Sequence, residues 1–549
     1  MLMRVVLTAL SAKNIHKTLA PWNLKAYCDK HIQGCQIIIQ EHNINDNVGE
    51  IVSHIYQSKP DVVGFSCYIW NIEHVIRISI MLKKYLPKLI IVLGGPEVSF
   101  EMDCNNYPFA NYIVKGPGET TFVKIIREIL DGKVSSSKLI CAEYEDNFER
   151  FPSPYIPEYY MSFEEGRMSA IENQLIYYES SRGCQFACTY CLSSTHIGVS
   201  ELSLKRIFDD IENLLKHGAK CIKFVDRTFN ANRMRASKIF RYISSLNTDC
   251  IFHFEVAADL FESEMLQIIS LMPKQRIQFE MGIQTVNHVT LAEINRTMDV
   301  ERALQNIETI VGFGNCHVHV DLIAGLPYET METFSVSINR CIKVRPHMLQ
   351  LGFLKLLKGT KIRENSSLYG FVFNDYPPYE VFQNNSMSFE DIIKLKHMEK
   401  VINKFYNSGM FINSIDYAIS NIFESAYQFF SNLSEFCKDM NLRVSLKHSY
   451  TILFDFLCNY ADKTTVGHYI KMDCLTFDAK GILPDEIKLY RDKCKEREFR
   501  KNSSLKYRNV RVEHFDFDNR TRIFIYDEKD EIRKSHKTID LLDFENNVK

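Results

Sequence analysis

Two hydrophobic periods alternate along the first 140 residues. The runs "MRVVLTAL", "QIIIQEHNI", "DVVGFSCYI", "LIIVLGGPEV" and "NYIVKG" are short, β-branched and apolar on both faces. Strands buried on both sides of a parallel sheet have this pattern. Between them, "VGEIVSHIYQSK" and "IEHVIRISIMLKKYL" repeat apolar residues at helical spacing. Five strands with intervening helices predict a doubly wound, Rossmann-like α/β domain over residues 1–140. Ligands of such sheets sit at the carboxyl ends of the strands. Those ends carry "SCYIWN" (66–71), "GGPEVSF" (94–100) and "GPGET" (116–120). Their glycines are either ordinary tight turns or places where the backbone approaches a flat or phosphate-bearing ligand closely.

The proline-rich "RFPSPYIPEYY" (150–160) marks a linker within residues 141–170. Alternation then resumes over residues 171–373 with "LIYYESSRG", "CIKFVDRTFN", "FHFEVAADL", "RIQFEMGIQT", "HVHVDLIAGLP" and "MLQLGFLKLL". Helical patterns such as "LKRIFDDIENLLKHG" separate them. Six β/α units are too few for a full eight-unit barrel, so a partial, open (β/α)6 barrel is expected. "NDYPPYE" (374–380) opens a third region, residues 374–549, mostly helical with terminal strands, a mixed α+β extension. Within it "SYTILFDFLCNY" is apolar but short and carries Asp455, which predicts a buried helix.

Of the 549 residues 46% are hydrophobic, enough for several cores. The net charge of −2 and the pI near 6.8 give no global nucleic-acid or membrane signature. The opening "MLMRVVLTALSAK" is too short an apolar run for a signal peptide, and no window reads as a membrane span. The sixteen cysteines are mostly scattered singly through apolar segments, as Cys67, Cys221, Cys341 and Cys458 are. That is how reduced thiols fill cores in a cytoplasm, the expected location. One basic stretch, 491–511, has nine Lys or Arg against three acids. It reads as a solvated charged surface, with contact to RNA or another anion as the alternative.

Cys184, Cys188 and Cys191 break the scattered pattern: three thiols in eight residues, "CQFACTYC", just after the first strand of the barrel. An odd, isolated trio argues against disulfides. With His196 it has the composition of a Cys₃His zinc site. A structural zinc normally staples a module without a core, and this loop sits at the mouth of a barrel that needs no staple. A [4Fe–4S] cluster held by three cysteines leaves one iron open for a ligand, and spacing and context favour it.

C-x₃-C-x-aromatic-C in this position resembles the signature of radical S-adenosylmethionine (SAM) enzymes. "FVDRTFN", "GIQT", "DLIAGLPYET" and "KLLKGT" resemble later segments of the same barrel. "DVVGFSCYIWN", "VLGGPEVS" and "VKGPGET" resemble the cobalamin-binding domain found ahead of many such barrels. The C-terminal region is similar to an uncharacterised extension in one branch of that family. The resemblance implies three cofactors: a [4Fe–4S] cluster on Cys184, Cys188 and Cys191, SAM, and cobalamin. It implies SAM contacts from Tyr190, Asp226, Glu255, Gln284 and Arg296. Plain alternatives are an Asp226–Arg227 pair, a pair between Glu255 and a basic residue on the next strand, and a helix-capping Arg296. It implies cobalamin contacts from Ser66, Tyr68, Trp70, Gly94, Gly95, Gly116, Gly118 and Glu119. No D-x-H-x-x-G loop follows the first strand. His16 lacks its flanking acid and glycine and is expected to be exposed or to cap a helix rather than to ligate cobalt.

The activity implied is methyl transfer to an unactivated centre through methylcobalamin and a 5′-deoxyadenosyl radical, fed by an electron donor such as flavodoxin or ferredoxin. Alternatives are radical rearrangement or oxidation without methyl transfer, RNA methylthio transfer, and cobalamin sensing without catalysis. RNA methylthio transfer needs a second cluster, and Cys28, Cys35, Cys67, Cys104 and Cys141 form no close trio. Reacting atoms must approach to about 3–3.5 Å. The 66–71 and 94–100 loops are therefore expected to face the cysteine loop, with Trp70 beside the reaction chamber and 150–160 wrapping the outside as a strap. The identity of the substrate is not legible in the chain.

Overall fold

The computed structural model describes residues 2–101, 104–133, 137–143, 147–164, 170–195, 198–502, 507–530, 532 and 535–542. The first sheet has six strands: β1 (Met3–Ser11), β2 (Cys35–Asn43), β3 (Val62–Ser66), β4 (Ile90–Gly94), β5 (Tyr112–Lys115) and β6 (Leu139–Cys141). Their order is β2-β1-β3-β4-β5-β6, and every pair is parallel. Val5, Val6, Val62, Val63, Ile91 and Ile113 are fully buried because helices cover both faces. Helices 48–57 and 72–85 pack on one face, and helices 19–31 and 119–130 on the other. Each such side chain contributes about 1.5–3 kcal/mol by leaving water. Strand β6, three residues at the edge, is one more than the apolar pattern predicted. The order reverses between β1 and β3, and that switch opens a crevice at the carboxyl ends.

The second sheet comprises β7 (Leu175–Tyr178), followed by a hairpin of β8 (Ser181–Cys184) and β9 (Gly198–Glu201), then β10 (Cys221–Phe224), β11 (Ile251–Val256), β12 (Ile277–Gln284), β13 (His317–Ala324) and β14 (Met348–Phe353). Its order is β14-β13-β12-β11-β10-β7, all parallel, with the hairpin outside it. This is the expected open, six-stranded partial barrel. The period of two is clear in β12 and β13. Ile277, Phe279, Met281, Val318, Val320 and Leu322 are fully buried. Between them Gln278, Glu280, His317, His319 and Asp321 form a polar inner face.

The C-terminal region begins with the pair β15 (Val372–Phe373) and β16 (Val381–Gln383), continues through helices, and ends in an antiparallel sheet of β17 (Val510–Phe515), β18 (Arg520–Asp530) and β19 (Ser535–Asp540). The apolar late stretch is the buried helix Leu446–Leu457, as expected. Its Phe454 and Phe456 belong to the same continuous core as the barrel's Phe254 and Phe279. Among the described residues no helix is long and apolar enough to cross a membrane. In the basic stretch, Arg491 and Arg500 pair with Glu496, and Arg511 pairs with Glu513 just beyond it, so three of its nine cations have carboxylate partners in these pairs.

The segment 150–160 is not an outer strap. Tyr155, Tyr159 and Tyr160 are buried and join Trp22 and Tyr178 in the barrel's core. Tyr155 donates its hydroxyl to the Tyr177 carbonyl at 2.6 Å. Nearby, the buried Lys17 binds Glu41 at 2.8 Å, with its ammonium over the rings of Trp22, Tyr159 and Phe163. Aromatic residues between prolines here fill the seam between the two sheets.

Candidate active site

The cysteine loop leaves the barrel through the β8–β9 hairpin. Gly183 makes that hairpin possible: its φ is +98°, and a Cβ there would lie 2.0 Å from the Gly198 carbonyl oxygen. Cys184 and Cys188 are buried and Cys191 is half-buried. The Cys184 sulfur accepts from the Phe186 N–H and the Cys191 sulfur from the Ser193 N–H, each at 3.4 Å. Burial pushes the Cys188 thiol up, and the Arg296 guanidinium, 3.9 Å from its sulfur, draws it down. Among the described residues no three His, Cys, Asp or Glu side chains form a group able to hold a single metal ion. His196 lies outside the described residues.

Beside the trio is a cavity of about 230 Å³ at the barrel mouth, lined by Cys188, Tyr190, Cys191, Glu255, Gln284 and Arg296, with Glu280 and Asp321 deeper. Four of the five expected SAM contacts therefore converge. Arg296 donates to the Tyr190 hydroxyl at 3.2 Å and to the Gly282 carbonyl rather than capping a helix. Gln284 sits at a β-bulge with φ +69°, a left-handed conformation that strains a residue with a side chain. Gln284 Oε1, Arg296 Nε and Asp321 Oδ1 are buried without a hydrogen-bond partner, which suits an absent polar ligand.

Asp226 does not line this cavity. It is fully buried and accepts from the Ser180 N–H at 3.0 Å and from the hydroxyls of Ser180 and Ser181. Arg235 closes the network by donating to the Ser180 carbonyl at 2.8 Å. The expected SAM contact, like the Asp226–Arg227 pair, gives way to a bracket beneath the strand that leads into the cysteine loop. Glu255 also forms the plain pair considered for it, 3.3 Å from Lys223.

Lys223 belongs to a charged inner face that the sequence analysis did not single out. It lies 2.9 Å from Glu280, and His253 lies 3.1 Å from the same carboxylate. His253 first, then Lys223, hold Glu280 at about 2. Burial, and then Glu280 and Glu255, push Asp321 up to about 7. The alternation in "HVHVDL" carried the signal, because every second residue of a buried barrel strand is polar.

The crevice of the first sheet holds a larger cavity, about 800 Å³. All eight expected cobalamin residues line it: Ser66, Tyr68, Trp70, Gly94, Gly95, Gly116, Gly118 and Glu119. Gly95 has φ +111°, and a Cβ there would meet the Cys67 carbonyl oxygen at 2.6 Å. The Thr8 and Ser66 hydroxyls are buried in the wall without hydrogen-bond partners. Trp70 is 45% exposed, stacks on Tyr68 with ring centroids 4.4 Å apart, and donates to the Leu10 carbonyl. His16 is neither exposed nor a helix cap. Its Nδ1 lies 2.6 Å from the Tyr177 hydroxyl, across the seam to the barrel.

The two halves face each other. Arg182, two residues before Cys184, bridges Glu119 at 2.9 Å and Glu179 at 2.8 Å. Glu97 of the 94–100 loop is buried against Lys358 at 2.8 Å, and Glu101 pairs with Arg363. Between Lys358 and Arg363, Ile362 donates its N–H to the Thr189 carbonyl within the cysteine loop. A third cavity, about 620 Å³, is walled by Gly95, Pro96 and Phe100 on one side and by Ser181, Gly183 and Ser193 on the other.

Residues 5–126 match the B12 binding domain, residues 178–341 the radical SAM superfamily, and residues 367–541 a protein family of unknown function, DUF4080. The chain is 23% identical over 405 residues to an uncharacterized methyltransferase of Pyrococcus horikoshii, covering 68% of this chain and 85% of that one. It is 23% identical over 348 residues to the cobalamin-dependent radical SAM methyltransferase TokK of Streptomyces tokunonensis, covering 54% of this chain and about half (47%) of TokK. The fold is similar to the cobalamin-dependent S-adenosylmethionine radical enzyme OxsB with aqua-cobalamin and S-adenosylmethionine bound. The TM-score is 0.57 at 16% identity, over 86% of this chain and 79% of that one.

Proposed function

Because the chain is a radical SAM protein with a B12-binding domain, we propose that it is a cobalamin-dependent radical SAM methyltransferase acting on an unactivated centre. When bound, the cluster and SAM supply a 5′-deoxyadenosyl radical and the corrinoid supplies the methyl group. The observation that carries this reading is the opposition of the two cavities. The one lined by glycines at the ends of β4 and β5 and the one beside the cysteines share Arg227 and Glu255 in their walls.

In this reading Cys184, Cys188 and Cys191 hold the cluster. The N–H groups of Phe186 and Ser193 stabilise negative charge on two of the thiolates, as hydrogen bonds to cluster sulfurs do. Tyr190, Gln284, Arg296 and Glu255 would surround SAM, with the unpartnered Gln284 Oε1 and Arg296 Nε free to receive its polar groups. Asp226 orients the strand that leads to the cysteines. The glycines let a planar macrocycle lie against the backbone, and Trp70 with Tyr68 shields the chamber from water. Barrel, seam and cavities together position the reacting groups and exclude solvent, while the cofactors carry the chemistry. A protein electron donor of the flavodoxin or ferredoxin kind completes the reaction.

The test is anaerobic reconstitution of the wild type and of the Cys184→Ala/Cys188→Ala/Cys191→Ala variant. The wild type should hold about four irons per chain and cleave SAM. The variant should lose both and keep its circular dichroism, because the barrel's core is independent of the loop. A zinc-loaded wild type whose triple variant unfolds contradicts the proposal.

A further inference from the structure

Arg227 follows Asp226 at the carboxyl end of β10, where a simple ion pair between the two is the plain expectation. The structure breaks that pair, since Asp226 turns inward to Ser180 and Ser181. Arg227 turns outward and is exposed. It lines all three cavities: the one beside the cysteines, the one in the crevice of the first sheet, and the one between them. The larger cavity has three Lys or Arg side chains in its wall. Arg182 is neutralised by Glu119 and Glu179, and Lys223 by Glu255 and Glu280. No carboxylate among the described residues pairs with Arg227. A guanidinium left uncompensated inside a chamber, five donors in a planar fork, is a receptor for a planar anion.

We propose that Arg227 is the substrate-recognition residue and that the substrate carries a carboxylate, held by this guanidinium where the three cavities meet. The proposal rests on the methyltransferase reading for the word "substrate". A carboxylate fits better than a phosphate dianion, because among the described Lys and Arg residues of the larger cavity's wall Arg227 alone lacks a carboxylate partner, and it balances a single negative charge. The body of the molecule would extend into the middle cavity, whose wall includes Phe100, Phe148 and Phe151, so it has an apolar portion. SAM carries a carboxylate of its own, and the experiment has to separate the two sources.

The probes are butyrate, 4-methylvalerate and 3-phenylpropionate, each paired with its primary amide. They are titrated calorimetrically into the holoenzyme, loaded with cluster, cobalamin and SAM but given no reductant. The expected result is that at least one acid binds about tenfold or more tightly than its amide, the worth of one charge-assisted pair. Arg227→Gln should erase that preference, Arg227→Lys should keep part of it, and the SAM affinity of both variants should stay within twofold of wild type. If Arg227→Gln weakens SAM about tenfold and no acid is preferred, the guanidinium serves the cofactor and the proposal falls. It also falls if no acid in the panel is preferred over its amide, or if the preference survives in Arg227→Gln. None of these measurements requires methyl transfer. An acid preference in a protein that transfers no methyl therefore leaves the binding assignment standing while the methyltransferase reading fails.

Discussion

Replacing Asp226 separates two roles that a buried acid beside the cysteine loop can play. Its carboxylate takes three hydrogen bonds from Ser180 and Ser181 and lies in the field of Arg235. Each bond to a charged group contributes about 1.5–3 kcal/mol, and each donor left buried without a partner costs about 1–3 kcal/mol. The three are coupled and do not add, so Asp226→Ala is expected to destabilise by about 3–5 kcal/mol, the range for breaking a buried charged network. Asp226→Asn keeps the shape and one acceptor oxygen and should cost about 1–3 kcal/mol. The assay is urea unfolding of both variants, with iron per chain and SAM affinity by equilibrium dialysis in the fraction that holds a full complement of iron. The expectation is a lower unfolding midpoint and less iron for Asp226→Asn, with SAM affinity in the loaded fraction within twofold of wild type. A tenfold loss of SAM affinity at unchanged stability refutes the reasoning and makes Asp226 a ligand contact after all.

Three further outcomes follow from the same geometry. Gly183→Ala puts a methyl 2.0 Å from the Gly198 oxygen at φ +98°; iron per chain should fall by more than half while circular dichroism is retained, and full iron loading contradicts the hairpin's role. His16→Ala removes a 2.6 Å hydrogen bond to Tyr177 and should cost about 1 kcal/mol of stability; the spectrum of bound cobalamin should be unchanged, and loss of a nitrogen signature on cobalt would overturn the assignment. Asp321, raised to about 7 in the fold, is favoured neutral there, so its contribution is present at low pH and is lost as pH rises from about 4 towards 7; in cofactor-free protein Asp321→Asn should gain on wild type by about 4 kcal/mol between pH 4 and pH 8, and a pH-independent difference refutes it.

Much of this architecture is legible in the chain because buried parallel strands have a simple signature. Val62–Phe65 and Ile90–Leu93 carry no polar side chain, and the glycine pair Gly94–Gly95 marks where the second of them stops. The three-cysteine loop is legible for a chemical reason: nothing structural explains so many thiols in eight residues. Orientation is harder to read. Asp226 and Arg227 are adjacent, so either can face the cavity, and which one does depends on Ser180, 46 positions away. The 150–160 segment misleads because prolines are a local signal for a loop, whereas the burial of Tyr155 and Tyr159 is decided by tertiary packing. Arg182 likewise has no local mark, since its partner Glu119 lies 63 positions earlier.

In the proposed function a methyl group travels from SAM to a substrate held between the two cavities. The direct measurement supplies the anaerobic holoenzyme with reductant, SAM carrying a deuterated methyl group, and a small-molecule extract of the cells that encode the protein, followed by mass spectrometry. S-adenosylhomocysteine and 5′-deoxyadenosine should appear together, along with one compound, a carboxylic acid, that has gained the deuterated methyl group. Omitting cobalamin should abolish that compound. Formation of 5′-deoxyadenosine with a changed compound that carries no deuterium would contradict methyl transfer and assign the protein to radical chemistry without it.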